Sequence, residues 1–208
     1  MNYKIIATGS SGNAVVINDI ILIDCGVPFK ALRDVYKKLK IVLLTHRHGD
    51  HFNASTIRKL ASERPTLRFA CAEWLADDVK KEAKKVDVLE IGKKYDYKAF
   101  KVSPIKLYHD VPNCGYRLYF DDKKMFYATD TSTLQGITAK DYDLYLIERN
   151  YEESEIKERI AVKESSGEYA YEKRAMRNHL SEQQCNEFLV NNAGINSRFV
   201  YLHQHEVS

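Results

Sequence analysis

The order of local signals along the chain predicts an α/β (α+β) protein built from two mixed β-sheets flanked by helices. Two observations carry this. Short β-branched runs at 3–7, 14–18, 20–24 and 41–45 are separated by Gly, Asn or Asp, and helical stretches follow before strands return. A regular parallel βαβ series would alternate strand and helix throughout, and this chain does not. Its 208 residues are enough for one domain with a sizeable core and too few for two full ones, so 1–208 reads as a single domain.

The elements follow in order. Gly9-Ser10-Ser11-Gly12-Asn13 reads as a tight turn and Asn18-Asp19 as a hairpin tip. Helices are expected over 28–38, 54–63 and 73–85, and strands over 67–71, 99–108, 115–120, 124–129, 144–148 and 199–203. Between the last two strands, the charged segment 151–177 reads as a solvated helical face interrupted near Ser165-Ser166-Gly167. Ser181 opens a further helix to residue 192, because Ser181-Glu182-Gln183-Gln184 fits a capping box. Gly194 can stop it.

Hydrophobic and charged fractions of 44% and 29% are those of an ordinary soluble globular protein. A net charge of +3 permits a nucleic-acid partner without requiring one. Cys25, Cys71, Cys114 and Cys185 are scattered, which excludes a disulfide framework and a zinc knuckle and points to a reducing compartment. No stretch of MNYKIIATGS resembles a signal peptide, and Ile41-Val42-Leu43-Leu44 is strand-sized. A cytoplasmic protein with no membrane partner is expected.

The chemistry concentrates in His46-Arg47-His48-Gly49-Asp50-His51. Three of the seven histidines and an Asp fall within six residues, directly after a buried-looking strand. A strand end is a rigid base for a ligand-bearing loop. His46 and His48 are spaced to reach one ion, and Asp50 and His51 can turn toward a second. Imidazole suits zinc, manganese or iron, and the carboxylate adds a hard oxygen.

This arrangement resembles the HxHxDH signature of the metallo-β-lactamase superfamily. Seven further segments resemble its YycJ-like, exonuclease-like subfamily, in the right order. Gly9–Asn13 looks like the GSSGN turn, and Leu22-Ile23-Asp24-Cys25-Gly26 like LIDAG. Tyr108-His109-Asp110 looks like SHD, and Ala128-Thr129-Asp130 matches ATD. Ile147-Glu148-Arg149-Asn150 resembles LEAN, His179-Leu180-Ser181 resembles GHLS, and Val200-Tyr201-Leu202-His203 resembles the last strand.

The resemblance implies an αββα sandwich with two divalent metal ions, zinc or manganese. It assigns His46, His48 and His109 to the first ion, Asp50, His51 and a C-terminal histidine to the second, and Asp130 to both. Aligned without a gap, the last histidine falls on Gln204. A one-residue deletion moves it to His203, the favoured reading, with His205 as the alternative. Asp24 is expected beneath the metal loop, orienting it. The Gly9–Asn13 turn is either a hairpin connection or a substrate-binding element.

Two ions can activate water and polarise a substrate oxygen, which suits phosphodiesters, thioesters, lactones or β-lactams. An Asp at position 130, where zinc β-lactamases resemble the site but carry a cysteine, favours phosphoester or glyoxalase-type chemistry. Glu148 and His179 match a carboxylate–histidine pair of the related transfer-RNA 3′-end endonucleases, where the histidine can protonate a leaving alkoxide. Lys173, Arg174 and Arg177 either contact substrate phosphates or form a solvated face, and Tyr169 and Tyr171 are packing residues or base-stackers. The expected function is a metal-dependent phosphodiesterase or nuclease, with Asp50, Glu148 and His179 catalytic and a nucleic acid or another phosphodiester as substrate. The alternative is a small-metabolite hydrolase: a glyoxalase-like thioesterase, a lactonase or a cyclic-nucleotide phosphodiesterase.

Overall fold

The β-branched runs of the first half become a single sheet. In the computed structural model, which describes residues 1–204, six strands lie in chain order: β1 (Tyr3–Ala7), β2 (Ala14–Ile17), β3 (Ile21–Ile23), β4 (Ile41–Leu44), β5 (Arg68–Ala72) and β6 (Val86–Leu89). The pairs β1–β2 and β2–β3 are antiparallel, and the rest are parallel. Asn18 (φ 47°) and Asp19 (φ 62°) are both left-handed at the β2–β3 turn, the geometry that matches strand twist and that Asn and Asp tolerate.

Helices α1 (Ala54–Glu63) and α2 (Glu73–Glu82) cover this sheet. Asn53 caps α1 by accepting the amide of Thr56. In α2, Glu73 in the first turn and Lys80 and Lys81 in the last complement the helix dipole. Ile57, Leu60, Leu75 and Val79 join Val42, Leu44, Phe69 and Cys71 in one buried cluster. Each large side chain so buried contributes about 1.5–3 kcal/mol.

Two expectations are corrected here. The helix over 28–38 is only a short 3-10 helix, Phe29–Leu32, followed by turns. Bonds such as Val35 N to Leu32 O (3.0 Å) and Lys38 N to Val35 O (3.1 Å) span three residues, and they bury Leu32, Val35 and Leu39 without an α-helical ladder. Helix α2 stops at Glu82 rather than at 85, because the chain turns into β6, whose single buried residue, Leu89, left no pattern to read.

The second sheet has the order β12-β11-β10-β9-β8-β7. Its strands are β7 (Tyr95–Asp96), β8 (Lys101–Leu107), β9 (Asn113–Tyr119), β10 (Lys124–Ala128), β11 (Leu144–Glu148) and β12 (Arg198–Leu202). The pairs β8–β9 and β9–β10 are antiparallel, and β10–β11 and β11–β12 are parallel. The charged segment is two helices, α3 (Glu153–Ser166) and α4 (Glu172–Asn178), broken where Gly167 takes φ 73°. Helix α5 (Glu182–Asn192) carries the expected capping box of Ser181 and Gln184, and it closes at Ala193, one residue before Gly194. Its Cys185, Phe188 and Leu189 pack with Phe126, Tyr145 and Ile147.

The chain thus divides into two compact units, Met1–Tyr95 and Asp96–Ser208, each built on one mixed sheet with its own helices. His205, the alternative last ligand, lies outside the described residues. Among the described residues no helix is long and apolar enough to cross a membrane.

Gly26 shows how tightly the first unit is drawn together. Cys25 N donates to His51 O and Gly26 N to Asn13 O, each at 2.9 Å. A Cβ at Gly26 would lie 1.7 Å from the Asp50 carbonyl oxygen, which is main chain and cannot swing away. Gly26→Ala should therefore cost about 3 kcal/mol, the upper range for overpacking. Gly49→Ala, with nothing within 4 Å of its Cβ, should change stability by less than ~0.5 kcal/mol. Chemical denaturation of both variants checks this, and equal losses would show that the close approach is not what holds the loop.

Candidate metal centre

In the first unit, parallel pairing of Ile23 with Leu43 brings the chain after β3 and the chain after β4 out at the same sheet edge. Asp24 leaves β3 in a left-handed conformation (φ 60°), with its amide on the Leu43 carbonyl at 2.8 Å. Its carboxylate has no exposed surface. It accepts from Thr45 N at 2.9 Å, Thr45 Oγ1 at 2.9 Å and His51 Nδ1 at 2.7 Å.

These bonds decide which ring nitrogens point outward. A threonine has one hydroxyl proton, and Thr45 gives it to Asp24. Its oxygen, 3.0 Å from His46 Nδ1, therefore accepts from that nitrogen. His46 and His51 are both held with the proton on Nδ1 and the lone pair on Nε2, the form that binds a metal. The rings of His46 and His48 lie 4.9 Å apart and those of His46 and His51 4.2 Å apart, while Asp50 Oδ2 is 3.6 Å from His51 Nε2. Asn13 joins them: its Oδ1 accepts from Gly9 N at 2.9 Å, so its Nδ2 faces His51 Nε2 at 2.8 Å and Asp50 Oδ2 at 3.4 Å.

In the second unit, register does the same work. Ala128 pairs with Ile147, and Glu148 with Leu202, so Asp130, Glu148 and His203 all sit at or just beyond the carboxyl ends of adjacent parallel strands. That end is where open α/β sheets build their sites. Asp130 (φ 56°) and His203 (φ 51°) are left-handed, like Asp24. Asn113 holds the Asp130 carbonyl at 2.6 Å, and Asn150 Nδ2 holds that of His203 at 2.9 Å.

Glu148 is completely buried. Its Oε2 accepts from Thr131 N (3.0 Å) and Leu180 N (3.2 Å), and its Oε1 from His179 Nδ1 (2.7 Å). Burial alone would raise this carboxyl, but the His179 and His203 imidazoles outweigh it and hold Glu148 below the ordinary carboxylate range. His203 Nδ1 lies 3.2 Å from Asp130 Oδ1 and 3.3 Å from Glu148 Oε1. Burial works against its charge, yet the two carboxylates lift it to about 10. Ligand atoms of Asp130, Glu148, His179 and His203 all fall within 4.8 Å of one another. His109 donates Nδ1–H to the Asn178 carbonyl at 3.0 Å, which leaves Nε2 as its lone-pair nitrogen, 3.3 Å from Asp110 Oδ1. Burial pushes His109 down, against the pull of Asp130.

The donor chemistry fits divalent cations in both units. Imidazole lone pairs converge with carboxylate oxygens, and the carboxylates of the second unit already draw a positive charge onto His203. The first unit gathers His46, His48, Asp50 and His51; the second gathers Asp130, Glu148, His179 and His203, with His109 beside His179 at 5.4 Å between ring centres. The sequence pointed to Asp24 as an orienting residue, but Thr45, Asn113, Asn150 and the Asn178 carbonyl escaped it. Asn13 stood out only as the last residue of the Gly9–Asn13 turn, and Asn150 only as the last of the segment resembling LEAN, neither with this role.

A family model described as a beta-lactamase superfamily domain matches residues 20–187. The chain belongs to this superfamily. Among solved structures it is similar to the metallo-beta-lactamase fold protein YhfI from Bacillus subtilis, with a TM-score of 0.75 and 16% identity over 99% of this chain and 87% of that one. It is similar to the short form of human tRNase Z, with a TM-score of 0.74 and 16% identity over 99% of this chain and 93% of that one. A diphosphatase of the PhnP family gives 0.66 and 15%, covering 97% and 86%. No curated protein matches the chain. The fold is the metallo-β-lactamase α/β sandwich expected from the sequence.

The Asp24–His51 bond is directly testable. Asp24→Asn keeps an acceptor for Thr45 and removes the charge that holds the Nδ1 proton on His51. Affinity for zinc, measured by competition with a chelator, should fall by roughly 10–100-fold. Unchanged affinity would show that this bond does not prepare the loop for an ion.

Proposed function

We propose that the chain is a YycJ-like, dinuclear metal-dependent phosphodiesterase or nuclease that acts as one domain in the cytoplasm. The observation that carries this reading is the 2.7 Å hydrogen bond between His179 Nδ1 and the buried Glu148 carboxylate. In keeping with the resemblance, His46, His48 and His109 serve one ion, Asp50, His51 and His203 the other, and Asp130 both. When bound, divalent ions supply Lewis-acid polarisation of the substrate and a more acidic water. Asp50, a quarter of whose side chain is exposed, takes the proton of the attacking water.

His179 handles the leaving group. With Nδ1 committed to an ionised Glu148, Nε2 is the nitrogen left to carry a proton outward, and the carboxylate stabilises the imidazolium that carries it. Expulsion of an alkoxide needs that proton, whereas expulsion of a thiolate does not. The similarity to a tRNase and to a diphosphatase supports phosphoester chemistry over the thioesterase alternative. Four buried free cysteines are in keeping with a reducing compartment.

Two measurements test this. Elemental analysis after exposure to zinc or manganese should find close to two ions per chain, lowered in His46→Ala, Asp130→Ala and His203→Ala but not in His179→Ala; fewer than one ion in the unaltered protein would end the dinuclear reading. For His179→Ala, turnover of a phosphodiester with a poor alkoxide leaving group should drop by roughly a hundredfold or more, and turnover of bis-p-nitrophenyl phosphate far less. Equal losses on the two substrates, or native activity confined to thioesters or lactones, would remove the nuclease assignment.

A further inference from the structure

The Gly9–Asn13 turn ends in a side chain to which the proposed chemistry gives no task. Asn13 is buried, with 2% of its surface exposed. Its main chain is tied on both sides, Asn13 N donating to the Asp50 carbonyl at 2.6 Å and Asn13 O accepting from Gly26 N at 2.9 Å. Its amide is held in one orientation, because Oδ1 accepts from Gly9 N at 2.9 Å and Nδ2 donates to Gly9 O at 3.0 Å.

One proton of Nδ2 is committed to Gly9. The other faces His51 Nε2 at 2.8 Å, the Asp50 carbonyl at 3.3 Å and Asp50 Oδ2 at 3.4 Å. The shortest of these is the hydrogen bond it makes. His51 donates Nδ1–H to Asp24, so Nε2 carries the ring's lone pair and accepts from Asn13. An imidazole nitrogen has one such lone pair. A hydrogen bond from Asn13 and a coordinate bond to a cation therefore exclude each other at His51.

The remaining acceptors decide where the displaced N–H goes. The Asp50 carbonyl already accepts from the Asn13 main chain. Asp50 Oδ2 is charged, and a charge-assisted hydrogen bond is roughly twice as strong as a neutral one. A quarter of the Asp50 side chain is exposed, so the carboxylate has room to close the 3.4 Å gap while Asn13 stays fixed. With Oδ2 engaged, Oδ1 is the oxygen left to act. Metal-ligating carboxylates are ordinarily steadied by a donor of this kind.

We propose that Asn13 is a positioning residue that couples cation binding at His51 to the orientation of Asp50. Its Nδ2–H bonds His51 Nε2 in the ion-free chain and Asp50 Oδ2 once a divalent cation takes that lone pair. The use of Asp50 as the base rests on the phosphodiesterase reading; the exchange of hydrogen bonds does not.

Nuclear magnetic resonance of the isotopically labelled full chain tests the exchange without any substitution. A nitrogen–nitrogen coupling across the hydrogen bond should join Asn13 Nδ2 to His51 Nε2 in chelator-treated protein and vanish on saturation with zinc. Its absence before zinc, or its persistence after, would overturn the proposal. Asn13→Asp keeps the acceptor for Gly9 N and removes the donor that faces His51 and Asp50, with folding verified by thermal unfolding. Zinc affinity by chelator competition should rise roughly fivefold or more, the worth of one competing hydrogen bond. Turnover of bis-p-nitrophenyl phosphate by the zinc-saturated variant should fall roughly tenfold, the scale of a lost hydrogen bond to a charged group. A residue that merely braces the turn would lower affinity and turnover together, and that outcome in a folded variant would also overturn the proposal. If the unaltered protein hydrolyses no phosphodiester, the coupling and the affinity still decide the role of Asn13, and only the phosphodiesterase reading is lost.

Discussion

Two carboxylates with no access to water, one in each unit, set the terms for the candidate metal ligands around them. Asp24 in the first unit and Glu148 in the second are both fully buried at the carboxyl ends of parallel strands. A carboxylate stripped of water loses several kcal/mol of solvation and stays ionised only if donors replace that water. Each is met in the same way: a neighbouring backbone amide near 3 Å, and an imidazole Nδ1 at 2.7 Å. The need to satisfy the charge thus fixes the imidazole's tautomer and its direction. In the first unit this readies His51, and through Thr45 also His46, for a metal. In the second it readies His179 for proton transfer.

What was legible in the sequence follows from how local each cause is. His46, His48, Asp50 and His51 stand out because one loop carries them all, and the hairpin at Asn18-Asp19 and the capping box at Ser181 are equally local. Glu148 and His179 lie 31 positions apart and could be paired only through a resemblance, until the chain after β11 bonded to the segment at Leu180 and Ser181 and brought them into contact. Thr45 gives no signal because its importance lies in a single hydroxyl, which donates its proton to Asp24 and accepts from His46 Nδ1. Asn150 and Asn178 act through contacts made or received by backbone carbonyls, which no pattern of residue types encodes. The segment 28–38 misled because Leu32, Val35 and Leu39 have helical spacing, yet successive 3-10 turns bury them as well. Strand β6 escaped because an edge strand with one buried residue has no apolar alternation to show.

The same strand ends also store conformational cost. Asp24, Asp130 and His203 all adopt positive φ, between 51° and 60°, a region that L residues enter reluctantly. The geometry has a use. A left-handed residue at a strand end turns the chain out of the strand at once, so its side chain no longer follows the strand's alternation. Aspartate tolerates this conformation comparatively well. His203 is the most strained of the three by residue type, and its carbonyl is pinned by Asn150 while its ring is drawn toward Asp130 and Glu148.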